Sequence, residues 1–258
     1  MNEIITSTEN KIIKEARSLN DKKHRKLLGK FLVDGEKLVR EVVFGGLKVD
    51  KLFIDSARMV DFSYILEKFS GKVVETNAKV ITSISENVTP QGIIAEVFIP
   101  ESKSLESFKN EPILVLDRIQ DPGNLGTIIR TAVATGFNNI VLIDTVDPFS
   151  PKVVRSSSGG VAHINFFKLS ESEVIDYAKN QGIELLVADM GGDNIFKTQT
   201  EKFGTNFALV IGNEGQGISD NFKQKGRAIS LPMKDKMESL NAGISASVLM
   251  YALLGKNI

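Results

Sequence analysis

The 258-residue chain contains no cysteine. That excludes a disulfide framework and any thiolate metal site. Only two histidines, His24 and His163, could offer imidazole, so a metal-dependent enzyme is not expected and no metal site is assigned. No apolar run approaches the roughly 18 residues that cross a bilayer. The amino terminus, Met-Asn-Glu-Ile-Ile-Thr-Ser-Thr-Glu-Asn, lacks the basic-then-apolar order of a signal peptide. The expectation is a cytoplasmic protein with no membrane association. Net charge is lacking too: 32 basic residues cancel 32 acidic ones, so no global field draws the molecule to a polyanion. What remains, 42% hydrophobic and 25% charged residues, is the composition of a globular protein with a sizeable core.

Charge is unevenly placed. Between positions 11 and 30 the chain carries Lys11, Lys14, Arg17, Lys22, Lys23, Arg25, Lys26 and Lys30 against only Glu15 and Asp21, a local excess of six. Such a run is either a solvated helix face or a patch that neutralises phosphates and releases their counterions.

Two halves differ in pattern. Residues 1 to about 100 read as a small α/β unit. It has a basic helix over 10–28, a strand at 31–33, a helix over 36–44 closed by Gly45-Gly46, and strands at 51–54, 73–75 and 93–98. The polar, Ser-rich stretch 100–112 is bounded by Pro100 and Pro112 and suits a linker. Domains are accordingly expected at 1–108 and 109–258. Beyond the linker, unbroken apolar runs at 113–117, 140–143, 183–189, 207–211 and 228–231 alternate with helices near 124–135, 171–180, 219–225 and 241–254. Continuous apolar strands separated by helices indicate a parallel sheet covered on both faces, a doubly wound α/β domain.

Three polar segments follow strands in this second half, where open parallel sheets bind ligands. In Asp121-Pro-Gly-Asn-Leu-Gly-Thr-Ile-Ile-Arg130, a helix opens near Asn124, a good N-cap, and Arg130 lies one to two turns in. A turn with a surface arginine and a phosphate-recognising helix start are both compatible with it. Ile211-Gly-Asn-Glu-Gly-Gln-Gly217 sets glycines at 212, 215 and 217 after a strand, so backbone amides can approach a ligand closely. The spacing is neither G-x-G-x-x-G nor a P-loop, which argues against a nucleotide-dependent oxidoreductase. Glu214 amid those glycines has no turn-forming reason to be there. In Leu231-Pro-Met-Lys-Asp-Lys-Met-Glu-Ser-Leu-Asn241, Pro232 stops a strand, and Ser239 or Asn241 can cap the apolar helix that follows.

In this order the three segments resemble the motifs of the SpoU family of RNA ribose 2′-O-methyltransferases, also called TrmH-like, within the SPOUT superfamily. Asp121–Ala132 is similar to the first motif, Leu209–Ser219 to the second, and Ile229–Asn241 with its helix to the third. Phe31-Leu-Val-Asp-Gly-Glu-Lys-Leu-Val-Arg40 and Thr89-Pro-Gln-Gly-Ile-Ile-Ala-Glu-Val97 resemble the substrate-binding domain that precedes the catalytic one in many members. Asp121 stands where Asn is usual, and Asn241-Ala-Gly-Ile-Ser replaces the commoner Asn-Val-Ser-Val-Ala.

The resemblance implies a sheet whose last portion is threaded as a deep trefoil knot, S-adenosyl-L-methionine as cofactor, and a homodimer formed through the knotted domain and the C-terminal helix. It implies cofactor contacts at Gly212, Leu231 and Leu240, with Leu209, Ile211, Gly215 and Ile229 beside them. Catalytic roles fall on Arg130, Asn124, Glu214, Ser239 and Asn241. Arg130 matches an arginine sometimes assigned as the base; because a guanidinium does not deprotonate in proteins, clamping an RNA phosphate suits it better. The substrate is RNA, since DNA has no 2′-hydroxyl. Ribosomal RNA is expected to dock on the basic segment, the alternatives being transfer RNA or a non-catalytic ribosome-assembly factor.

Overall fold

The computed structural model describes residues 4–101, 111–198, 206–213, 215–234 and 239–254. Two compact units emerge: residues 1–101 with 147–162, and residues 102–146 with 163–258. Of the expected linker 100–112, residues 102–110 lie outside the described residues.

The first unit is built on a four-stranded sheet of order β1-β4-β2-β3: β1 Lys30–Asp34, β2 Val49–Asp55, β3 Lys72–Thr76 and β4 Ile93–Phe98. β4 runs antiparallel to β1 and β2, while β2 and β3 are parallel. Alternation along the strands sends Leu32, Phe53, Val74 and Ile94 to one face, where α1 (Lys11–Ser18) and α5 (Ala78–Ile84) cover them with Ile13, Ala16, Val80 and Ile81. The intervening helices are α2 (Lys22–Leu28), α3 (Glu36–Phe44) and α4 (Ser63–Leu66).

The expected single helix over 10–28 is two helices. α1 ends at Ser18, and Asp21 starts α2 afresh by accepting from the Lys23 amide at 2.7 Å. At the break, Arg25 Nη1 donates to the carbonyls of Leu19 and Asn20, both at 2.8 Å. Orphan carbonyls at a helix end need such partners, and a side chain from the next helix supplies them.

A segment from the second half joins this unit. α7 (Pro151–Ser156) packs on β1; Val153 and Val154 are buried, and Phe149 stacks on Phe31 with ring centroids 4.9 Å apart. Neither α7 nor α5 was expected from the sequence.

The second unit carries a six-stranded sheet, all parallel, of order β10-β8-β9-β5-β6-β7. Its strands are β5 Ile113–Asp117, β6 Asn139–Ile143, β7 Asn165–Lys168, β8 Glu184–Asn194, β9 Phe207–Gly212 and β10 Arg227–Ser230. α8 (Glu171–Gln181) and α9 (Asp220–Lys225) cover one face, where Val174, Ala178 and Phe222 meet Val115, Val141, Val187 and Val210. α6 (Pro122–Thr135) and α10 (Ala242–Leu254) pack on one another, and α10 also reaches β9. The expected parallel sheet is present, with β7 as an additional short edge strand.

Two features shape the sheet's carboxyl edge. β8 is longer than expected and loses register with β10: Val187 pairs with Ala228, but the next pair is Asp193 with Ile229. Residues 188–192 therefore arch away from β10. The arch closes at Gly192, where a Cβ would sit 2.4 Å from the backbone of Ala228 and Ile229. Between α6 and α10, Gly243 allows close approach: a Cβ there would lie 3.3 Å from Thr127 Cβ, and Thr131 and Ser247 hydroxyls bond at 2.9 Å.

Candidate active site

At the carboxyl edge of β8, β9 and β10 the second unit holds a cavity of about 350 Å³, the size class that takes small-molecule ligands. One wall is the turn after β9. Asn213 Oδ1 accepts from the amides of Gly215 (2.8 Å) and Gln216 (3.0 Å), and the Gly217 amide closes the turn on the Asn213 carbonyl at 2.9 Å. Gly212 permits this fold-back, since a Cβ there would meet the Gly217 backbone at 2.6 Å. The opposite wall is Ile229, Ser230 and Leu231 with Ser239 and Leu240, and the first two turns or so of α10 add Ala242, Ser245 and Leu249. The β8 arch completes it with Ala188, Asp189 and Met190. Asp189 lies 3.6 Å from Lys223, the one lysine among the described lining residues.

Six of the seven positions expected to hold a cofactor line this cavity: Ile211, Gly212, Gly215, Ile229, Leu231 and Leu240. Leu209 does not. It lies three residues short of the β9 terminus, fully buried between β8 and β5, and serves the core. The arch residues were missed, although Gly191-Gly192 at the end of an apolar run signals a close backbone approach or a bulge within a strand.

The expected catalytic residues divide into four groups. Ser239 lines the cavity. Asn124 and Asn241 form a bridge, Asn241 Nδ2 donating to Asn124 Oδ1 at 2.8 Å. The expected cap of α6 is corrected here. Asp121, not Asn124, is the N-cap, accepting from the Asn124 amide at 2.8 Å, so the Asn124 side chain is released to meet the start of α10. Asn241 accepts from the Ile244 amide at 3.2 Å while it donates to Asn124. Arg130 stands exposed on α6, off the cavity lining, and carries no ion pair or side-chain hydrogen bond among the described residues. Glu214 lies outside the described residues.

In the first unit, the basic segment is corrected at two positions. Arg25 is 4% exposed and paired to Asp147 at 2.8 Å, so it is an internal strut. Lys30 bonds Asp50 (2.6 Å) and Glu96 (2.7 Å) in a cluster that Lys51 completes. Burial would lower the Lys30 pKa, but the two carboxylates outweigh it and raise it. Neither side chain is placed to meet RNA. Lys11, Lys22, Lys23 and Lys26 are exposed without an ion pair among the described residues, Arg17 is half-buried, and Lys14 pairs with Glu9 at 2.6 Å.

Residues 111–251 match the model of the SpoU rRNA Methylase family, and residues 10–95 match the MRM3-like substrate binding domain. The chain belongs to the SpoU rRNA methylase family. It is similar, at 33% identity over 97% of its length and 99% of the relative's, to the 23S rRNA (guanosine(2553)-2'-O)-methyltransferase RlmP of Bacillus subtilis. Its fold matches the AdoMet-bound rRNA methyltransferase of Sinorhizobium meliloti with a TM-score of 0.88 at 28% identity, over 99% of this chain and 98% of that one. It also matches the SpoU methyltransferase AviRb of Streptomyces viridochromogenes in complex with AdoMet, with a TM-score of 0.86 at 26% identity, over 96% and 98%. Among the described residues no helix is long and apolar enough to cross a membrane, and no group of three or more acidic or histidine side chains could hold a metal ion.

Proposed function

We propose that the protein is an S-adenosyl-L-methionine-dependent methyltransferase that modifies a ribose 2′-hydroxyl in ribosomal RNA. One observation carries this reading: the cavity is walled by described residues of two motifs, 211–213 with 215–217 and 229–231 with 239–240, and the helix that also lines it, α10, is tied through Asn241 to the helix bearing Arg130. The residues fit the cofactor. Gly212 and Gly215 bring backbone amides to the cavity surface, Leu231, Leu240 and Leu249 would accept apolar surface, and Asp189 would offer a carboxylate acceptor to a hydroxyl or an ammonium. When bound, the cofactor supplies an electrophilic methyl on a sulfonium.

The chain's own residues then have to hold a sugar oxygen in line and favour loss of its proton. Arg130 is free to grip the RNA phosphate and to stabilise the forming alkoxide, because its guanidinium stays charged and its donors are unspent. The Asn124–Asn241 bridge fixes the start of α6, and hence Arg130, relative to α10 and the cavity. Ser239, which lines the cavity, helps to orient the nucleotide, and the family resemblance assigns Glu214 the same role. Arg130→Ala is expected to lower methyl transfer by at least about 100-fold while S-adenosylhomocysteine affinity, read by calorimetry, stays within about twofold of wild type. Equal loss of both would contradict this division of labour.

Residues 1–108 would dock the RNA and 109–258 carry the transfer. Exposed lysines Lys11, Lys22, Lys23 and Lys26 supply cationic contacts, with Lys14 and Arg17 beside them. We assign a homodimer on the stripe Ile244, Val248 and Tyr251 of α10: Ile244 is 53% and Tyr251 51% exposed on an otherwise apolar helix, a surface that calls for a partner. The knotted path of the last strands and a cytoplasmic location belong to the same proposal. Mapping 2′-O-methyl positions in 23S rRNA from cells with and without the gene tests the function; an unchanged map, together with no methyl transfer to rRNA in vitro, would refute it.

A further inference from the structure

Arg118, the first residue after β5, has a backbone φ of +62°. That left-handed region suits glycine or asparagine, and a long side chain held there carries strain of about 1 kcal/mol or more. Local geometry alone would favour a different residue. What the arginine does there is visible in its bonds. Its Nε and Nη2 fork onto both carboxylate oxygens of Asp117 at 2.8 and 3.0 Å. Its Nη1 donates to Gln216 Oε1 at 3.0 Å and its Nη2 to the Gly217 carbonyl at 3.3 Å. Its own carbonyl accepts from Asn213 Nδ2 at 2.9 Å. Asp117 is 2% exposed and also accepts from the Ser219 amide at 2.9 Å.

Asn213, Gln216, Gly217 and Ser219 are thus all fastened to two consecutive residues at the end of β5. Three of these four, Asn213, Gln216 and Gly217, line the cavity. Apart from its own internal turn, the wall has no other described side-chain bond to the sheet. Hydrogen bonds to a charged group are stronger than neutral ones, which lets the strained conformation persist. Left unfastened, a turn so rich in glycine would sample many conformations, and a ligand would bear the entropy of ordering it.

We propose that Arg118 is a positioning residue that clasps the 213–217 turn and thereby preforms the cofactor wall. The proposal rests on the reading of this cavity as the S-adenosylmethionine site, and it deepens that reading by assigning cofactor affinity to a residue that does not line the cavity. Removing the clasp should loosen the turn and weaken cofactor binding without altering the chemistry of the filled site.

Arg118→Gly relieves the φ strain but leaves the buried Asp117 carboxylate without its counter-ion, so a lowered unfolding temperature is expected, and exchange in the turn is read against that of β5 and β9 in the same folded sample. Amide hydrogen exchange at Gly215, Gln216 and Gly217, measured on the ligand-free protein, should speed up by about tenfold or more. S-adenosylhomocysteine affinity should fall about tenfold, and KM for the cofactor should rise in step, with kcat at saturating cofactor and KM for RNA within about twofold. Arg118→Lys keeps the charge but not the fork, and should fail to rescue. Wild-type exchange rates in Arg118→Gly would overturn the clasp whatever ligand the cavity takes. A variant with unchanged cofactor KM and a raised RNA KM would also overturn it, making Arg118 an RNA contact. Failure of the wild-type protein to bind S-adenosylhomocysteine would instead defeat the reading of the cavity, and the exchange measurement would still decide the clasp.

Discussion

Gly212 ends β9 at φ values that any residue can adopt, so its requirement is purely spatial: an added Cβ would lie 2.5 Å from Ile218 Cγ1 and 2.6 Å from the Gly217 carbonyl carbon and oxygen. Backbone cannot step aside as a side-chain tip can. Overpacking of this kind costs about 1–3 kcal/mol, and the strain falls on the turn that walls the cavity. Gly212→Ala should therefore weaken S-adenosylhomocysteine binding by about tenfold to 100-fold by calorimetric titration; affinity within a factor of two would show that the turn opens freely. This position was legible in the sequence because a glycine directly after an apolar strand has few other reasons to be there. Arg25 and Lys30 were not. A cationic letter in a basic run says nothing of whether its partners, here Asp147, Asp50 and Glu96, arrive from 20 to 122 residues away. Asp121 and Asn124 show the same limit at short range: both are good caps, and only the helix start at Pro122 decides between them.

At the scale of elements, β1, β2 and β4 are joined by more than backbone ladders. Lys30 and Lys51 each bond Asp50 and the buried Glu96 between 2.6 and 2.8 Å. Burial pushes the Asp50 carboxyl up, but the two ammonium groups outweigh it and hold its pKa well below the usual carboxylate range. A carboxyl with a depressed folded pKa stabilises the fold above its unfolded value, about 3.9, and loses that contribution as pH falls through the folded value. Urea unfolding should therefore show the stability gap between wild type and Asp50→Asn shrinking as pH is lowered from about 6 to about 3. A gap independent of pH would mean that the cluster holds by packing alone. Elements with long periodic signals were read from sequence almost to the residue, as with α3 and β4. Those that went unread are short: α7 spans six residues and β7 four, and each is stabilised by the sheet it joins more than by its own propensity. The β8 arch was unreadable for another reason, since an apolar run does not say where its partner strand drops register.

For the whole molecule, a division of labour between the two units makes a claim about electrostatics. The chain is neutral overall, so any RNA affinity must come from a local face whose contribution is screened by salt. Lys22, Lys23 and Lys26 all lie on α2, exposed, while Arg25 of the same helix turns inward to Asp147. Helical periodicity thus separates the three exposed lysines from the buried, paired arginine within five residues. Deleting the first 108 residues would blur this distinction, because Phe149, Val153 and Val154 would be stripped of the sheet they pack on. Charge reversal keeps the packing. The triple variant Lys22→Glu, Lys23→Glu, Lys26→Glu should fold normally, bind S-adenosylhomocysteine like wild type, and bind ribosomal RNA fragments more weakly. Its plot of log affinity against log salt should be shallower by up to about 2 to 3, roughly 0.7 to 0.9 for each of three phosphates that are no longer neutralised. If the slope is unchanged and affinity is retained, these lysines are a solvated face, and RNA docking must be sought on another surface of the first unit.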